Sequence, residues 1–360
     1  MKIKFFSIKK IAIMTSIMIV LFFAIRGLCL SDLLLNINNK KIIGKVVPII
    51  SYVKEPKETA DKKSYYRKII ANKTFRFEVF DFREEDYYEE NKVNETEVQE
   101  EIKQQPLVNI DELGTVKSVT LSSKNMLKNE TKYTIDLNAM NSKELDIKLG
   151  YKNIEAIIYH THATESYTPT KNNNYIASGT FRTLNTKCNM ISVGEQLKKV
   201  LEKNKIKTFH DTILYDATSF NGAYSRSYDK TKENIKKYKS TKLVFDIHRD
   251  AIGVGSERYR PIVKINGKEV AQILLVVGTD AGGLTHSKWR ENLNLAIKLK
   301  QKADKLYPGL IRQINVRKER FNQNLSTGSL IVEMGATGNT VEEAKLAAEL
   351  FGEVVAKTLK

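Results

Sequence analysis

From about residue 150 onward, short apolar runs alternate with stretches whose apolar residues recur every three or four positions, the pattern of strands interleaved with amphipathic helices. Ala156 to Tyr159 reads as a buried strand, Met190 to Asn204 as a helix and Lys230 to Lys239 as a short basic helix. A strand follows at Leu243 to Ile247. The runs Arg258 to Ile265 and Glu269 to Val277 flank Asn266-Gly267, a type I′ hairpin signal. Trp289 to Leu306 is a helix stopped before Pro308, and Leu330 to Glu333 is a buried strand. Thr340 to Leu359 is a closing helix whose Thr340-Val341-Glu342-Glu343 start fits a capping box. Such alternation predicts an α/β domain over residues 150–360, with a mostly parallel twisted sheet and helices on both faces.

The pattern before residue 150 is different. Residues 11–25 carry no charge, Lys2, Lys4, Lys9 and Lys10 precede them, and the stretch through Leu30 has the length of a membrane-spanning helix, roughly 20 residues. No small-x-small cleavage site stands between Ala24 and Asp32, so an uncleaved signal anchor is expected. Its lysines keep the N-terminus cytoplasmic and place the rest outside the cytoplasm. Residues 31–149 mix apolar tracts such as Lys41 to Val53 with polar stretches, and Asp81 to Glu101 holds ten acids against two bases. They read as an extracytoplasmic spacer, partly disordered, with strand elements at Val116 to Leu121 and Tyr133 to Leu137. The expected organisation is therefore tip and anchor (1–30), spacer (31–149) and α/β domain (150–360).

The net charge of +17 points to an anionic partner. A domain outside the cytoplasm meets no nucleic acid, and 34 of the bases against 21 of the acids fall in residues 150–360. Attraction to an anionic cell wall accounts for this balance, and salt-dependent sedimentation with peptidoglycan tests it. Cys29 and Cys188 alone support neither a disulfide framework nor a thiolate zinc site. Metal chemistry must come from the five histidines and the carboxylates.

Three predicted strands end in candidate ligands. AIIY runs into His160-Thr161-His162-Ala163-Thr164-Glu165, LVFD into Ile247-His248, and SLIV into Glu333-Met334-Gly335. Open α/β sheets bind ligands beyond the carboxyl ends of their strands, where these residues can converge. Histidines and carboxylates together suit a mononuclear hydrolytic zinc site with one carboxylate left as base. Because i and i+2 side chains on a strand share a face, His160 and His162 both face the site, or His162 and Glu165 bind with His160 supporting them. His210 and His286 lack a partner motif and read as ordinary core or loop residues. There is no G-x-S-x-G elbow and no phosphate loop, and Gly253-Val254-Gly255 lacks a third glycine. Arg226, Arg249 and Asp250 are candidates for gripping substrate carboxylates or orienting ligands.

The segments Ile157 to Tyr167 (IIYHTHATESY), Tyr224 to Ser227 (YSRS), Phe245 to Ala251 (FDIHRDA) and Ile331 to Gly335 (IVEMG) resemble, in this order, those of the stage II sporulation protein P family. The resemblance covers residues 150–360. It implies an amidase-like fold and a membrane-anchored peptidoglycan hydrolase, a zinc-dependent N-acetylmuramoyl-L-alanine amidase with endopeptidase activity on peptide cross-links. It further implies zinc on His162, Glu165 and His248, with His160 as the alternative first ligand, and Glu333 as the catalytic residue. The implied setting is engulfment during sporulation, in the space between forespore and mother-cell membranes, alongside stage II sporulation protein D and the membrane protein M. A silent wall-binding scaffold and another zinc hydrolase of wall polymers are the alternatives.

Overall fold

Strands whose side chains alternate between apolar and polar have two unlike faces, and covering the apolar one dictates the layers. A computed structural model describes residues 107–110, 113–176, 181–254 and 257–359. Its strands are β1 (Val116–Val119), β2 (Leu127–Asn129), β3 (Ala156–Tyr159), β4 (Thr208–His210), β5 (Leu243–Asp250), β6 (Gly253–Val254), β7 (Glu257–Ile265), β8 (Lys268–Ala271), β9 (Ile273–Gly278), β10 (Ile311–Arg317) and β11 (Ser329–Ala336). The helices are α1 (Leu137–Ser142), α2 (Met190–Lys203), α3 (Ala223–Lys237), α4 (Trp289–Leu306) and α5 (Val341–Leu359).

Seven strands form the main sheet in the order β2-β10-β9-β11-β5-β3-β4. Its neighbours run parallel except β11 and β9, so the expected mostly parallel sheet is a mixed one. On one face Phe245, Ile247, Val332, Met334, Leu275 and Ile314 pack with the buried stripes of α2, α4 and α5. On the other face α3 lies against β3, and Asp246, His248 and Glu333 project from β5 and β11. A small second sheet joins β1, β7, β6 and β8. Its β7–β8 hairpin turns through Asn266 (φ 50°) and Gly267 (φ 79°), the left-handed pair of a type I′ turn. At the start of α5, Thr340 Oγ1 accepts from Glu343 N and Glu343 Oε2 accepts from Thr340 N, each at 3.3 Å, which closes the expected capping box.

Several expectations are corrected. Part of the stretch expected as spacer is built into the domain: β1 pairs with β7, β2 with β10, and α1 packs on α4. Tyr133 to Leu137 is no strand, because Asp136 accepts from the amides of Asn138 and Ala139 and caps α1, while the Tyr133 ring stacks on Trp289. The run Glu269 to Val277 breaks at Gln272, whose amide bonds Leu121 and Gly309, so that β8 and β9 enter different sheets. Helix α3 begins at Ala223, seven residues before the expected start at Lys230. The anchor at residues 1–30 lies outside the described residues, among which no helix is long and apolar enough to cross a membrane.

Candidate functional site

Strand β3 ends at Tyr159, and the His-Thr-His-Ala-Thr-Glu segment crosses the carboxyl end of the sheet as turn. Strand alternation therefore stops, and the two histidines part. The His160 ring turns toward α2: Nδ1 lies 2.9 Å from the Ile247 carbonyl and Nε2 lies 2.9 Å from His210 Nε2. Gly194 of α2 makes the room, since a Cβ there would stand 2.5 Å from His160 Nε2. Burial pushes His160 down to about 3 and His210 down to about 4, so both rings are neutral. His160 is thus committed to a buried histidine pair, and the expectation that it shares a face with His162 is corrected.

His162 turns the other way. It stacks on Phe220 with centroids 4.2 Å apart, and meets Tyr224 and His248 edge to face at 5.5 and 5.4 Å. His248 Nδ1 is 3.6 Å from Glu165 Oε2, and β-sheet register sets Glu333 directly beside His248. The structure thus brings His162, Glu165, His248 and Glu333 together although they span most of the domain. Burial lowers the His162 pKa well below the ordinary value, against the pull of Glu165. For His248 burial acts in the same direction, but Asp246, 2.8 Å from Nε2, and Glu165 outweigh it and raise the pKa. Burial would raise Glu165, yet Arg249, His248 and Arg182 hold its carboxyl below the usual range. Glu333 is raised to about 8, chiefly by burial, with Asp250 and Glu165 adding to it while His248 and Arg312 oppose.

A polar frame holds this cluster. Asp246 accepts from the backbone and hydroxyl of Thr161, at 2.8 and 2.6 Å, and fixes the turn that carries His162. Arg182 reaches Asp216 at 2.6 Å and Glu165 at 3.3 Å. Of the residues expected to grip substrate, Arg226 instead donates to the carbonyls of Tyr215, Ser219 and Asn221, bracing a surface loop. Arg249 is buried against the Ser166 carbonyl at 2.8 Å and lies 3.9 Å from Glu165, which suits orienting that carboxylate. Asp250 pairs with Arg312 at 2.9 Å. Arg182, Asp216, Asp246, Tyr224, Phe220 and Arg312 were not foreseen as members of the site; only Asp246, two residues before His248 on one strand face, carried a periodic signal.

Among the described residues no group of three His, Cys, Asp or Glu side chains is placed to hold a metal ion. The donor chemistry nevertheless fits zinc. His162 Nδ1 and Glu333 Oε2 are buried without a hydrogen-bond partner, and an imidazole with an unused nitrogen, such as His162, is a metal donor.

A mixed α/β domain that gathers histidines and carboxylates at the carboxyl ends of its central strands has the layout of a ligand-binding α/β protein. The chain belongs to the stage II sporulation protein P family, whose sequence profile it matches over residues 38–356. It is 29% identical over 212 residues to the stage II sporulation protein P of Bacillus subtilis strain 168, a match covering 55% of this chain and 50% of that protein. The chain therefore spans about half the length of that curated relative. Among solved structures it is similar to an N-acetylmuramoyl-L-alanine amidase from Clostridium difficile 630, with 13% identity and TM-score 0.35, over 58% of this chain and 96% of that one. It is also similar to the catalytic domain of the amidase CwlV from Bacillus (Paenibacillus) polymyxa var. colistinus, with 11% identity and TM-score 0.32, over 57% and 96%.

Proposed function

We propose that the chain is a membrane-anchored, zinc-dependent N-acetylmuramoyl-L-alanine amidase that cuts peptidoglycan during engulfment. What carries this reading is the convergence of His162, Glu165, His248 and Glu333 in one cluster with unpaired buried donor atoms. His162, Glu165 and His248 would hold the ion, and the pairing of His160 with His210 favours His162 over His160 as the first ligand. A zinc ion held there would supply Lewis-acid polarisation of the scissile carbonyl and a water that is more nucleophilic near neutral pH.

The chain's own residues supply the rest. Glu333 takes the proton of the attacking water and returns it to the leaving amine, and its raised carboxyl pKa of about 8 suits both transfers near neutrality. Asp246 and Arg249 fix His248 and Glu165, and the Phe220 ring shields His162 from solvent. The same reading places the domain outside the cytoplasm on its N-terminal anchor, between forespore and mother-cell membranes, with stage II sporulation proteins D and M as partners. Purified chain digesting sporangial peptidoglycan is expected to release free stem peptides, to contain stoichiometric zinc and to fall silent with a chelator. Muropeptide profiles unchanged by the chelator would sink the metal-dependent reading.

A further inference from the structure

The loop after β10 holds a bulky residue in a backbone conformation that such residues avoid. Phe321 has φ +51°, in the left-handed region where an aromatic side chain is disfavoured. Its neighbours impose this. Asn322, buried, donates to the Tyr224 carbonyl at 2.9 Å and to Ser227 Oγ at 3.0 Å. Gln323, also buried, accepts from Gly278 N and donates to the Val276 carbonyl, both at 2.8 Å. The amides of Thr279 and Gly282 bind the carbonyls of Glu319 and Lys318. A loop held from both sides thus carries the Phe321 ring, whose centroid is 5.9 Å from that of Tyr224. Tyr224 in turn lies 5.5 Å from His162 and 6.5 Å from His248. Phe220, stacked on His162, is 38% exposed. Strain kept by surrounding contacts at a candidate site points to a use.

The geometry points to Phe321, with Tyr224, as the platform for the sugar ring adjoining the scissile bond in the glycan strand of peptidoglycan. This rests on the wall-hydrolase reading and adds which half of the substrate sits where. Stem peptides offer small side chains and carboxylates, which call for cations. A pyranose offers a flat face of C–H bonds, which matches a rigid aromatic face whose position needs no further ordering on binding. Rigid placement beside the cluster also lets binding energy from the sugar orient the adjoining amide.

Phe321→Gly separates the platform from the loop, because glycine accepts φ +51° without strain. The full-length chain and this variant would be titrated with peptide-free glycan strands and, separately, with glycan-free stem peptide, alongside thermal melts. We expect glycan affinity to fall about tenfold, stem-peptide affinity to hold, and the melting temperature to stay level or rise. Phe321→Leu, which keeps bulk without the aromatic face, should lose glycan affinity as well. Unchanged glycan affinity in both variants, or equal loss on both ligands, overturns the inference. Neither titration needs turnover, so wild-type chain that binds glycan through Phe321 yet cuts no wall would uphold the platform and overturn the hydrolase reading alone.

Discussion

Glu333→Gln is expected to remove roughly 10²–10⁴-fold of the wall-cleaving turnover while leaving the fold and metal content intact. The substitution keeps the size and shape of a side chain held in β11 beside His248. It removes only the ability to take and return a proton. Glu333 Oε2 is buried without a partner, and burial already raises the carboxyl pKa to about 8, so a neutral amide there adds no buried charge. A melting temperature at or above the wild-type value is therefore expected with the loss of turnover. Turnover within tenfold of wild type, in a variant that still carries its zinc, would show that another group moves the proton.

Much of this site could be read from the sequence because sheet register is periodic. His248 and Glu333 end apolar runs that pair as β5 and β11, and the parallel register that buries both apolar faces together sets them side by side. The limits of β3 follow from its apolar run and those of α4 from apolar spacing and the stop at Pro308, and both are found where these signals put them. Helix α3 shows why the rest was hidden. Its buried positions are Ala223, Ser227, Thr231 and Asn234, a small and polar stripe that faces Thr161 and Asp211 across hydrogen bonds, so a search for apolar periodicity finds only its basic second half. Strand β10 was missed as well. Its bulge between Ile311 and Ile314 breaks the alternation and leaves Arg312 free to meet Asp250. Arg182 and Phe321 owe their places to contacts between distant loops, which no local pattern encodes.

The two histidines of the His-Thr-His segment should respond oppositely to removal, and this contrast decides the first ligand. His162→Ala is expected to empty the site of zinc and abolish wall cleavage. Its Nδ1 has no hydrogen-bond partner to lose, so the metal-free protein should lose only the packing of the ring on Phe220 and melt below metal-free wild type by less than the His160 variant does. His160→Ala removes a fully buried ring, breaks the contact with His210 and strips the Ile247 carbonyl of its side-chain partner. The cavity and the unpaired polar groups together cost about 3 kcal/mol. For a domain of this size that is a fall of roughly 6–12 °C in melting temperature. Below its melting range the His160 variant should still bind zinc, because its ring points to α2 and Gly194 and not to the cluster at His248. Metal analysis and thermal melts of both variants check the pair. Zinc retained by His162→Ala and lost from well-folded His160→Ala would reverse the assignment and would require the buried histidine pair to open on metal binding.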